Sequence, residues 1–115
     1  MALKRKPRRR PWSPSHLQKL IEEACVDAYH ESEQEGGFLV GLEEHFDCPC
    51  PALVIGETVT ILGFDIDRSG RGLVARIRRK GKSYQVNVTA LEWSGNPPKG
   101  ADWIAAYEVW SGGTG

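Results

Sequence analysis

The sequence predicts an α+β fold, with two N-terminal helices, a small curled antiparallel sheet and a C-terminal helix. Three observations predict it. Apolar residues recur at three- and four-residue spacing in two stretches before residue 47. They alternate with polar residues in three stretches between residues 56 and 91. Trp103, Ile104, Tyr107 and Trp110 then return to helical spacing near the end of the chain.

The opening MALKRKPRRRPWSPS has Pro7, Pro11 and Pro14 and only Leu3 and Trp12 as large apolar groups. Such a segment buries too little apolar surface to offset the entropy of ordering, so residues 1–14 are expected to form a disordered basic arm. A single domain is expected over residues 15–110, with a flexible tail at 111–115. Its first helix should begin at Ser15, where SHLQ has the capping-box pattern, and run to about Tyr29. Leu17, Leu20, Ile21, Ala24 and Ala28 form its apolar face. EQEGGFLVGLEEHF continues as a second helix that turns Phe38, Leu42 and Phe46 to the core. Gly36, Gly37 and Gly41 weaken that helix on propensity and point to close packing or a bend.

Pro49 and Pro51 end the second helix. Strands are expected next in GETVTILGF, GLVARIRR and KSYQVNVTAL, with Leu73, Ala75 and Ile77 facing one way and Arg76 and Arg78 the other. Tyr84, Val86 and Val88 are the predicted inward set of the last strand. Lys80-Gly81 supplies a hairpin turn. Short strands joined in this way suggest a sheet curled like an SH3-type barrel. NPP then breaks the chain before the closing helix in ADWIAAYEVW.

The formal net charge is zero, yet the charges are segregated. Residues 1–19 hold seven Lys or Arg and no acid, residues 20–67 hold twelve Asp or Glu and no Lys or Arg, and residues 68–115 hold eight bases against three acids. Each block is a candidate binding surface as well as a candidate for neutralisation within the fold. No apolar run is long enough for a membrane span, and no secretory signal opens the chain. An odd number of cysteines, three, argues against a closed disulfide framework, so a cytoplasmic setting is expected. No nucleophile motif or glycine-rich phosphate loop is present, and His16, His30 and His45 all precede the sheet. The sequence therefore predicts a binding protein rather than an enzyme.

DIDRSGRG, residues 65–72, begins like a calcium loop, with Asp65, Asp67, Ser69 and Gly70 at the first, third, fifth and sixth positions of an EF-hand. Its twelfth position is Arg76, where a bidentate glutamate is required, and its flanks have strand periodicity. An inter-strand connection is the better reading, with Asp65 and Asp67 kept as a possible non-helical metal pair.

The segment VDAYHESEQEGGFLVGLEEHFDCPCPALVIGETVTILGF resembles the small cyanobacterial calcium-binding proteins of the CcbP-like family. The likeness rests on Asp27, Ala28, Tyr29, Glu33, Gly37, Phe38, Leu42, Glu43, Glu44, Pro49, Gly56, Glu57 and Val59, and continues in TALEW and ADWIAAYEVW. It departs from the family's pattern at Phe38-Leu39-Val40-Gly41, where an aromatic cluster is usual, at Cys48-Pro49-Cys50, and in the basic arm. The resemblance implies a non-EF-hand calcium binder built on acidic surface, with a buffering or signalling role. Calcium takes six to eight oxygens in irregular geometry, which suits a dense acidic segment. Asp27 and Glu31, four apart on the first predicted helix, and Glu43 and Asp47, four apart on the second, are the expected ligands, with Glu33 and Glu44 beside them.

Two other constellations stand beside this one. His45, Cys48, Cys50 and Cys25 hold the donor types of a zinc site without a standard spacing. Lys4, Arg5, Lys6, Arg8, Arg9 and Arg10 in the arm, with Arg76, Arg78, Arg79, Lys80 and Lys82 in the hairpin, have the electrostatic footprint of a nucleic-acid binder. Gln85, Asn87 and Thr89 offer that surface no stacking platform, so such binding should be non-specific and centred on the arm. A protein-interaction module on an SH3-like barrel is the remaining alternative.

Overall fold

The computed structural model describes residues 12–67, 69 and 72–112. Its first helix, α1 (Pro14–Cys25), opens one residue before the predicted start. The cap is Ser13 rather than Ser15, its hydroxyl accepting from the His16 amide at 3.1 Å, with Pro14 in the first turn. Proline suits that position because its φ is already helical and its missing N–H would have had no partner. Trp12, assigned by sequence to the arm, packs partly buried against the core, so the arm's boundary lies before it. Residues 1–11 of the predicted arm and 113–115 of the predicted tail fall outside the described residues.

α1 also ends earlier than predicted, at Cys25. The chain leaves it through extended Val26 and then Asp27, whose φ of 58° is left-handed. Short polar side chains tolerate that region better than most, which makes Asp27 a place where a helix can stop. A second helix, α2 (Glu31–His45), follows. The Glu33 carboxylate accepts from the Tyr29 amide at 2.8 Å and the Gln34 side chain donates to the Ala28 carbonyl at 3.2 Å, fixing the entry to α2.

Phe38 and Leu42 on α2 are fully buried. The glycines predicted to signal close packing do so at two positions. A Cβ at Gly37 would collide with the Ala24 carbonyl on α1, and one at Gly41 with the Trp103 ring on the last helix, α3 (Ala101–Trp110). Glycine thus trades helix propensity for helix-to-helix contact.

Among the described residues there are five strands, β1 (Cys50–Val54), β2 (Glu57–Asp67), β3 (Gly72–Arg79), β4 (Lys82–Asn87) and β5 (Leu91–Glu92), in the order β4-β3-β2-β1-β5 with every pair antiparallel. The last strand returns to the first, as in SH3-like sheets, but the sheet stays open between β4 and β5 among the described residues. β1 is an element that the two prolines concealed. Pro51 is tolerated because it faces Thr60 on β2 at a point that β5, paired only at Leu53 and Val54, does not reach. β2 runs on through Asp67, so Asp65 and Asp67 are strand residues rather than part of the connection. A register shift between Ile61 and Gly63 marks a bulge in it.

β4 stops at Asn87, earlier than predicted. The Asn87 side chain accepts from the Thr89 amide at 2.9 Å and its hydroxyl at 2.8 Å, turning Val88–Ala90 into a short 3-10 helix. Val88 is buried as expected and Val86 partly so, whereas Tyr84, on the edge strand, stays 42% exposed. Leu73, Ala75 and Ile77 of β3, with Ile61, Phe64 and Ala52, form the sheet's contribution to one core shared with all three helices.

Candidate functional site

Helix boundaries decide where the acids go. Asp27 lies in the link after α1 while Glu31 opens α2, and Glu43 is on α2 while Asp47 lies beyond its end at His45. Neither pair sits four apart on one helix, so the predicted convergence of four carboxylates is not formed. Among the described residues, no group of three or more His, Cys, Asp or Glu stands together as a metal site.

Other predicted ligands hold structural contacts. Glu33 accepts from the Tyr29 amide ahead of α2, as above. The Asp65 carboxylate accepts from the Ile66 amide at 2.9 Å, and Asp67 accepts from the Ser69 amide at 3.2 Å and its hydroxyl at 2.8 Å. These are local side-chain turns at the end of a strand, in keeping with the rejection of an EF-hand. Asp27, Glu31, Glu43, Glu44 and Asp47 are exposed. The Asp27 and Glu43 carboxylates make no hydrogen bond or ion pair among the described residues, and the Glu44 carboxylate meets only His45, at 4.0 Å.

Among the described residues the soft donors form no such group either. Cys50 is buried, Cys48 exposed and Cys25 half-buried, while the His45 ring stacks on Trp103 with centroids 5.7 Å apart and planes 5° apart. Burial pushes all three thiols up, and at Cys48 the neighbouring Cys50 and Asp47 add to this while the Arg76 guanidinium opposes it. Thiols held protonated in this way are poor nucleophiles.

The hairpin bases, by contrast, are where the sequence puts them. Arg76 and Arg78 are exposed on the sheet face opposite Leu73, Ala75 and Ile77. Arg79 instead pairs with Glu57 at 2.5 Å. Lys80 and Gly81, with φ of 55° and 79°, make the predicted two-residue turn. Lys4, Arg5, Lys6, Arg8, Arg9 and Arg10 lie outside the described residues.

Sequence reasoning missed one polar junction. Tyr107 on α3 donates its hydroxyl to Glu35 Oε2 at 3.1 Å and accepts from the Leu73 amide at 3.1 Å, tying α2, α3 and the start of β3 together. Gly72 fits beneath it, since a Cβ there would meet the Tyr107 hydroxyl. Burial, with the Glu35 carboxylate, raises the Tyr107 pKa, while the Leu73 amide acts in the opposite direction. Beside it the Trp110 indole donates to Gln34 Oε1 at 3.1 Å, and on α1 His16 Nε2 meets Asp102 Oδ2 at 2.8 Å. These pairs are 72 to 86 residues apart in sequence, with no local spacing to announce them. No described helix is long and apolar enough to cross a membrane. Comparison of the chain with known protein families, curated proteins and solved structures finds no match.

Proposed function

We propose that the chain is a non-EF-hand calcium-binding protein that takes calcium on surface carboxylates at either end of α2, each end binding its own ion because the helix holds them too far apart to share one, as its resemblance to the CcbP-like proteins implies. One observation supports the reading above others. The residues that carry the resemblance separate into those the fold uses and those it does not. Glu33 holds the Tyr29 amide ahead of α2, Gly37 admits α1, Phe38 and Leu42 fill the core, Gly56 turns at φ 75°, and Glu57 pairs with Arg79. Asp27, Glu43 and Glu44 are exposed and hold no fold contact beyond the Glu44–His45 approach. A calcium ion tolerates irregular oxygen geometry where magnesium demands a near-ideal octahedron, so surface carboxylates that no fixed cage arranges suit calcium better.

The test is calorimetric titration of the full chain with calcium and with magnesium, read beside the melting temperature. An ion that binds only the native state stabilises it by about 2.7 kcal/mol at one hundred times its dissociation constant. Calcium is expected to raise the melting temperature more than magnesium. Asp27→Asn combined with Glu43→Gln and Glu44→Gln should remove most of that rise, whereas Asp65→Asn with Asp67→Asn should keep it. The reverse pattern would move the site to the end of β2. Absence of both heat and thermal shift would sink the calcium reading.

A further inference from the structure

Arg76 and Arg78 stand two residues apart on β3, on the face turned away from the helices. Residues directly opposite in antiparallel strands share a face, so the register gives each guanidinium its flanks. Arg76 lies between Gln85 of β4 and Gly63 of β2, and Arg78 between Ser83 of β4 and Thr60 of β2. A Cβ at Gly63 would run into the Arg76 guanidinium, so the Arg76 side chain reaches across the sheet over that glycine. Among the described residues neither arginine has a carboxylate partner. Lys80 and Lys82 extend the positive charge round the adjoining turn.

We infer that this face of β2, β3 and β4 binds the phosphodiester backbone of a nucleic acid, with Arg76 and Arg78 each taking one phosphate and the Thr60 and Ser83 hydroxyls donating beside Arg78. The Cα atoms of residues two apart on a strand are about 6.6 Å apart, a spacing from which two long arginine side chains can reach neighbouring phosphates of one strand. Arginine with flanking hydroxyl donors is phosphate chemistry. The face carries no aromatic ring to stack a base, so it recognises backbone rather than sequence.

A membrane surface fits less well. The large exposed apolar side chains, Val26, Tyr29, Val40, Ile55, Tyr84 and Val109, are absent from this row of residues, leaving nothing beside the arginines to enter a bilayer. Asp65 and Asp67 lie further along β2, past Gly63, and bound the patch on that side. The inference assigns a second site to the domain itself and does not rest on the calcium reading.

The experiment is fluorescence anisotropy of a labelled single-stranded oligonucleotide with the full chain across a salt series, in the presence of a calcium chelator. Arg76→Gln with Arg78→Gln should weaken binding at low salt at least tenfold. It should also flatten the slope of log affinity against log salt by about 1.4, at roughly 0.7 per phosphate on a single strand. Each single variant should give about half that change, which preserves the test should the double variant fail to fold. Arg76→Lys with Arg78→Lys, which keeps the charges, should retain the slope. An unchanged slope in the glutamine variants would overturn the inference and leave all binding to the arm. So would phosphatidylserine vesicles that bind as tightly as the oligonucleotide and lose binding in the same variants.

Discussion

The acidic helical segment and the basic hairpin begin from the same kind of sequence signal, a regular spacing of like charges, and end differently. In the hairpin the spacing survives folding, because strand pairing enforces a period of two and puts Arg76 and Arg78 on one face. In the helices it does not, because Asp27 and Glu31 are four apart across a helix boundary, as are Glu43 and Asp47. A spacing carries geometry only while the element that sets its period continues. The two regions also differ in how firmly they are held. α2 meets α1 by backbone contact at Gly37, whereas Gly63 in the sheet meets only the tip of the Arg76 side chain.

That contrast is broken most forcefully at the helix crossing. Gly37→Ala sets a methyl group against the Ala24 carbonyl, and a rigid backbone neighbour has to move. A loss of about 2 kcal/mol is expected from overpacking, measured by urea denaturation. Gly63→Ala, the counterpart in the sheet, should cost under about 1 kcal/mol, since the guanidinium tip can swing away. Equal losses at the two glycines would show that the regions do not differ in rigidity.

Tyr107→Phe tests the junction between the helical layer and β3. It removes an acceptor from the buried Leu73 amide and a donor from Glu35, and a loss of about 1 to 2 kcal/mol is expected in the same assay. The raised phenol pKa adds a pH signature. Because the folded value lies above the unfolded one, the native state favours the protonated phenol. Its contribution is complete below the ordinary tyrosine value of about 10 and is lost as pH rises through the folded value. Stability measured above pH 10 should therefore fall less steeply in Tyr107→Phe than in the parent chain, with the three cysteines, whose thiols are also raised, contributing equally to both.

Smaller effects are expected at the two ends of the comparison. Glu33→Ala should lower stability by about 0.5 to 1 kcal/mol through the lost hydrogen bond to the Tyr29 amide, with faster hydrogen exchange of that amide in the link before α2. Lys80→Asn should raise stability by about 0.5 kcal/mol, because asparagine accepts the left-handed turn position more readily than lysine. The gain should appear as a higher denaturation midpoint with an unchanged slope.

By itself the sequence determined the α+β class, the three helices, the hairpin around Lys80-Gly81 and the outward arginines. These follow from periodicity and turn chemistry, which act between residues close in the chain. It also pointed to close packing or a bend at the α2 glycines, and packing is the outcome at Gly37 and Gly41, with partners that it did not name. Tertiary structure alone decided that Pro51 sits within a strand, because what permits it is the limited reach of β5, more than thirty residues away. It alone decided the places of Glu35 and Tyr107, whose hydrogen bond spans 72 residues. The scatter of the acids has the same origin. Whether α1 ends at Cys25 or Tyr29 depends on how Leu17, Leu20 and Ala24 fill the core and where the chain must turn to bring Gly37 against Ala24, which no local spacing records.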